Sequence, residues 1–231
     1  MTETPFARMA PEKRDALVTA AAREFAAHPA AEASLNRIIA ACGMSKSSFY
    51  HVIDSKDELL GIVVTTLTER ALEDWRPPRP EDFAVDFWSV AESMWDGAMR
   101  SWPESEALGL LWRIVWAEPR HPSVEGFHAA VDAWLSAVLD VGRRTEAVDA
   151  GAPAELQAVA LMSLLRGFDR WSLALIDADS AAQSDDSAAE NSGFAEERGN
   201  PSAGTGSLPS SAEVAALANQ QFRLVRRLLE A

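Results

Sequence analysis

Cysteine is nearly absent from this 231-residue chain. The single one, Cys42, excludes an intramolecular disulfide and any two-cysteine metal clip. Lysine is almost as scarce, and its three copies (Lys13, Lys46 and Lys56) all fall within the first 60 residues. No apolar run approaches the length of a bilayer span, so no membrane partner is expected. The opening segment MTETPFARMA lacks a basic stretch followed by an apolar one, so it does not read as a secretory signal. These absences together predict a soluble protein of a reducing cytoplasm. Excess positive charge is missing as well. The formal net charge is −14, which argues against binding a polyanion over the whole surface. There is no glycine-rich phosphate loop, no nucleophile elbow and no cysteine–histidine pair at catalytic spacing. No enzyme activity and no cofactor are therefore expected.

The acidity is unevenly distributed. Residues 1–60 hold 7 Lys+Arg against 8 Asp+Glu, whereas the rest hold 14 against 27. Only the near-neutral beginning of the chain is suited to face a polyanion. Apolar residues recur throughout at helical spacing and rarely alternate, which predicts an all-α fold. Pro11 suits the first position of a helix carrying Leu17, Ala20, Ala21 and Phe25. Ser34 can cap a second, short helix over Leu35–Cys42, and Gly43 permits the positive φ of a tight turn. Ser45 can cap a third helix through Tyr50 and His51. The pair Ser55 and Glu58 is a capping box opening a long fourth helix to about Trp75. The proline-rich Arg76–Asp82 must turn. A helical face formed by Phe83, Phe87, Ala91, Met94, Trp95 and Ala98 follows it. Further helices are expected over Leu108–Trp116, around Val124–Val138, over Leu156–Ile176 and from Ala212 to Leu229. Between the last two, Ala178–Ser211 has eight serines and six acids but only Phe194 and Leu208 as bulky apolar residues. Such a segment buries too little to offset its ordering entropy and reads as a disordered loop.

Two short helices parted by a glycine turn have the layout of a helix-turn-helix. A recognition helix must approach the major groove closely, so the small residues Ser45, Ser47 and Ser48 suit its N-terminal end. Lys46 can reach a phosphate or a guanine edge, and Tyr50, His51 and Lys56 can meet the backbone. The run SLNRIIAACGMSKSSFYHVIDSKDELL resembles the DNA-binding signature of the tetracycline-repressor (TetR) family of transcriptional regulators. Ser34, Ile38, Gly43, Ser45, Phe49, Tyr50, Lys56 and Leu59 fill matching positions. The chain departs from the pattern at Ile39, Cys42, Ser47, Val52 and Ile53, and it lacks the usual glycine before the second helix, in HPAAEAS. Val52 removes one backbone contact, so that role is not carried over. The resemblance implies operator DNA as partner, with Ser34, Arg37, Ser45, Lys46, Ser47, Ser48, Tyr50, His51 and Lys56 as the DNA-binding set.

The resemblance also implies a helix-turn-helix domain of three short helices at residues 1–56. A long helix would join it to a helical ligand-binding and dimerisation domain at residues 57–231. A homodimer is expected, with recognition helices roughly 34 Å apart. Its interface is expected from the last two helices, with Leu161, Leu165 and Phe168 facing Leu217, Val225 and Leu228. The middle helices are expected to enclose a small apolar or aromatic effector, walled by Trp88, Trp95, Trp112, Trp116 and Trp134. Glu125, His128 and Asp132 share one helix edge near His121, but that edge is also the natural polar side of an amphipathic helix, so no metal is expected. The function implied is a ligand-responsive transcriptional repressor. The competing class is a dimeric helical protein that sequesters a hydrophobic ligand or partner and has lost DNA binding. The substitutions at Val52 and Ile53 leave it open.

Overall fold

The computed structural model describes residues 4–101, 104–170 and 211–230. The expected loop at 178–211, apart from Ser211, which begins the last helix, and the end of the helix carrying Leu175 lie outside them. Among the described residues every regular element is helical. They form two compact units, Met1–Gly142 and Arg143–Ala231.

The first unit opens with α1 (Pro11–Ala27), α2 (Leu35–Ala41), α3 (Lys46–Val52) and α4 (Lys56–Asp74). Their starts follow from serine caps. Ser34 Oγ accepts from Arg37 N at 3.3 Å, Ser45 Oγ from Ser48 N at 3.2 Å, and Ser55 Oγ from Glu58 N at 3.0 Å. Each satisfies an amide that the first helical turn leaves without a partner. The reciprocal bond of the Ser55–Glu58 box reaches one residue further back, with Asp54 N donating to Glu58 Oε2 at 2.7 Å. Gly43 takes φ +67°, the left-handed turn that ends α2 and starts the approach to α3.

The core of this unit runs through Leu17, Val18 and Phe25 of α1, Ile38 of α2, Phe49 of α3 and Leu59, Leu60 and Val63 of α4. It continues without a break into Leu111, Ile114 and Val115 of α6 (Glu106–Ala117) and Val124 of α7 (Pro122–Arg144). α6 packs on both α1 and α4, within the compact unit Met1–Gly142. Between α4 and α5 (Phe87–Ser101), the proline-rich turn contains a short 3-10 helix, Pro80–Ala84. Phe83 belongs to this helix rather than to the face of α5. It is buried, with ring centroids 5.6 Å from Phe87 and 6.1 Å from Trp134.

The second unit contains α8 (residues 154–170) and α9 (Ser211–Leu229). Arg143 organises the turn before α8: its guanidinium donates to Ala152 O at 2.9 Å, to Ala150 O at 3.2 Å and to the buried Gln157 side chain. Asp149 N donates to Leu229 O at 2.8 Å, tying that turn to the end of α9. Among the described residues no helix is long and apolar enough to cross a membrane.

Candidate nucleic-acid interface

α3 is anchored chiefly by Phe49, with Val52 half-buried against the same core. Phe49 is fully buried and stacks edge-on to Tyr50 at 5.3 Å, while Lys46, Ser47, Ser48, Tyr50 and His51 all remain exposed. This seven-residue helix thus turns Phe49 and Val52 toward the core and presents its polar residues outward. The serines are linked at the entrance: Ser45 Oγ donates to Ser48 Oγ at 2.8 Å and lies 3.1 Å from Ser47 Oγ. Ser48 then accepts from Ser45 and keeps its own hydroxyl proton directed elsewhere.

The two lysines of this region part ways. Both stand at the first position of a helix, Lys46 on α3 and Lys56 on α4. A cation there is opposed by the helix dipole. Lys56 is compensated internally: its ammonium donates to Ala30 O at 2.6 Å, Ala33 O at 2.7 Å and Ala31 O at 3.4 Å. Three protons meet three carbonyls within the protein. Lys46 makes no ion pair or hydrogen bond among the described residues and is exposed.

Arg37 and Ser34 also have internal tasks. Arg37 Nε lies 3.0 and 2.9 Å from the two carboxylate oxygens of Glu24, with its Nη2 on the same group. Glu24 Oε1 also accepts from Ser34 N at 2.7 Å. The Arg37 guanidinium holds the Glu24 carboxyl below the usual glutamate range, while partial burial works against it. Sequence reading missed two residues that shape this region, Glu24 and Glu118. Glu24 lies 13 residues from Arg37 on a different helix, and Glu118 bonds Ala30 across 88 residues, so neither pairing follows a local spacing rule.

The five tryptophans proposed as pocket walls are all half-buried. Trp134 Nε1 donates to Pro78 O at 2.9 Å and so pins the proline-rich turn. Trp116 Nε1 is buried with no hydrogen-bond partner among the described residues. Of two surface hollows, one of about 530 Å³ lies between α1 and α2, and one of about 390 Å³ lies beside Trp75 and α5. None of the five tryptophans lines either. Glu125, His128 and Asp132 do not gather: among the described residues no three His, Cys, Asp or Glu side chains cluster as metal ligands.

On the candidate dimer helices, Leu161 is buried. Leu165, Phe168, Leu217 and Val225 are half-buried, and Leu228 is exposed. The apolar residues that α8 and α9 leave most open are Leu156, Val159, Leu224 and Leu228. Burial also pushes the Asp169 carboxyl of α8 up to about 7.

Residues 17–61 match the family model of bacterial regulatory proteins, tetR family. No curated protein matches the chain in sequence. Among solved structures, a TetR family transcriptional regulator from Chloroflexus aurantiacus aligns over 98% of this chain and 97% of its own, with TM-score 0.64 and 16% identity. Another TetR family transcriptional regulator, from Pseudomonas syringae pv. tomato, aligns over 96% and 99%, with TM-score 0.54 and 19% identity. At these identities the likeness is one of fold alone.

Proposed function

From a chain whose head, residues 17–61, is that of the tetR-family regulatory proteins, we propose a ligand-responsive transcriptional repressor that reads operator DNA as a homodimer. The observation that carries this reading is Lys46. It sits at the dipole-opposed start of α3, exposed, with no partner among the described residues, beside serine hydroxyls and above a single buried anchor. An external acceptor accounts for that placement, and an anionic phosphate or the neutral O6 and N7 edge of a guanine in the major groove supplies one. Tyr50 and His51 extend the same exposed side and are proposed as backbone contacts. Ser34, Arg37 and Lys56 belong to the support of this surface rather than to the surface itself.

The exposed apolar residues of α8 and α9 support the homodimer, since Leu156, Val159, Leu224 and Leu228 would otherwise face water. The effector is proposed to be a small apolar or aromatic molecule meeting the half-buried tryptophans of α5–α7. The buried Trp116 indole N–H supports an effector that also carries a hydrogen-bond acceptor. Release requires that such an effector bind the DNA-free state more tightly than the DNA-bound one. The test is selection of sequences from a random duplex library by the full chain, followed by titration with apolar and aromatic compounds. Enrichment of an inverted repeat, weakened by a compound that also quenches tryptophan fluorescence, supports the reading. Absence of any enriched sequence moves the chain to the sequestering class.

A further inference from the structure

The turn between α1 and α2 is built from residues that cannot hold themselves in place. Pro29, Ala30, Ala31 and Ala33 bring no polar side chain, and their sequence lacks a glycine to relax the turn. Two internal bonds form, from Glu32 N and Ala33 N to Pro29 O at 2.8 and 2.9 Å. Other groups of the turn are met from outside. Ala30 N donates to Glu118 Oε1 at 2.6 Å, and Glu118 caps the end of α6. Ala30 O and Ala33 O accept from Lys56 Nζ at the start of α4. One peptide residue, Ala30, is thus held on its two sides by charges of opposite sign from two different helices. Charge-assisted bonds of this length are the strong ones.

The turn that follows Glu118 also touches α4. His121 is almost fully buried, with its Nε2 3.2 Å from Asp57 O, while its Nδ1 accepts from Ser123 N at 3.2 Å. Gly61 lies so close that an added Cβ would sit 3.0 Å from Ser123 Oγ. The segment Glu118–Ser123 therefore grips the chain both where it enters α2 and where it leaves α3. Everything between those two points is the helix-turn-helix.

We infer that Glu118 and Lys56 are positioning residues that clamp the α1–α2 turn and thereby fix the attitude of α2 and α3. The clamp serves the DNA-reading role proposed above, but its presence is measurable without DNA. In the full chain, Glu118→Ala should speed hydrogen exchange of the Ala30 amide, and of amides in α2 and α3, at least tenfold. Exchange in α7 and α9 should stay unchanged. Glu118→Gln keeps the acceptor oxygen and should restore most of the protection. Acceleration spread equally over α7 and α9, or confined to Ala30 alone, overturns the inference.

Lys56→Met supplies the second arm, read on an operator selected from random duplexes by the wild-type chain. The clamp predicts at least a tenfold loss of affinity with the slope of log K against log salt unchanged. A slope reduced by about one counterion marks Lys56 as a phosphate contact and overturns its positioning role. If the wild-type chain selects no operator, the DNA-reading proposal fails, and the exchange arm alone decides the clamp. If Lys56→Met does not fold, the two Glu118 variants decide it.

Discussion

Truncating Leu156 to alanine should weaken the homodimer far more than it weakens the subunit. Leu156 is 59% exposed on α8, beside Val159 at 63%, with Leu224 at 48% and Leu228 at 44% on α9. Fully burying a side chain of this kind contributes about 1.5–3 kcal/mol, and a little over half of that area is still open, so about 1 kcal/mol remains to be gained on association. In a two-fold interface each substitution acts twice, giving about 2 kcal/mol, or roughly 30-fold in the dimer dissociation constant. Sedimentation equilibrium of the full chain over a concentration series measures this directly. Leu161→Ala is the informative contrast, because Leu161 is buried within its own subunit. It should lower thermal stability by about 2–5 kcal/mol, the range for core leucines, without a separate effect on the folded subunits' association. A dissociation constant unmoved by Leu156→Ala refutes the placement of the interface on this face. So does a constant moved by Leu161→Ala with thermal stability intact.

Other residues give independent readings. Ser45→Ala removes the cap of α3 and should cost about 1 kcal/mol, seen as faster amide exchange at Ser47 and Ser48 with α4 unaffected. Lys46→Gln should lower affinity on all duplexes and reduce the salt slope by about 0.9, as loss of one phosphate contact requires; an unchanged slope removes Lys46 from the backbone. The Glu24 carboxyl is held below its ordinary value of 4.5, so its stabilising pair with Arg37 is fully present above that pH and is lost as pH falls beneath it. Urea unfolding of Glu24→Gln should then show a shallower loss of stability on acidification than the wild type. Asp169 runs the other way: with its carboxyl raised from 3.8 to about 7, the folded chain keeps a proton that the unfolded chain has released. Stability should therefore fall as pH rises between those values, and Asp169→Asn should remove that part of the slope in thermal melts.

The parts of the fold legible in the sequence are those fixed by neighbours in the chain. Serine caps act over three residues and glycine turns over one, so Ser34, Ser45, Ser55 and Gly43 could be placed from spacing alone. The α3 residues Lys46, Ser47, Ser48, Tyr50 and His51, chosen from the sequence for their size and polar chemistry, are all exposed. What escaped was set by long-range packing. Whether Lys56 reaches a phosphate or a carbonyl depends on a turn 23 to 26 residues away, and a lysine at the start of a helix suits either. Leu161 and Leu156 are both leucines on one apolar helix, and periodicity cannot say which side faces its own subunit. Phe83 continues the spacing of α5, yet the prolines before it impose a 3-10 turn that breaks the helix between Phe83 and Phe87. Glu118 carried no signal at all, since its partner is a backbone amide in another part of the chain.

α3 is the element proposed to read DNA. The most direct measurement is selection from a random duplex library by the full-length chain, with wild type and a Lys46→Gln, Ser48→Ala double variant run in parallel. Wild type should enrich an inverted repeat whose half-sites lie about one helical turn apart, and the double variant should lose the enrichment while remaining folded. Equal recovery of all sequences by the folded wild-type chain, or an unchanged consensus with the double variant, would contradict it.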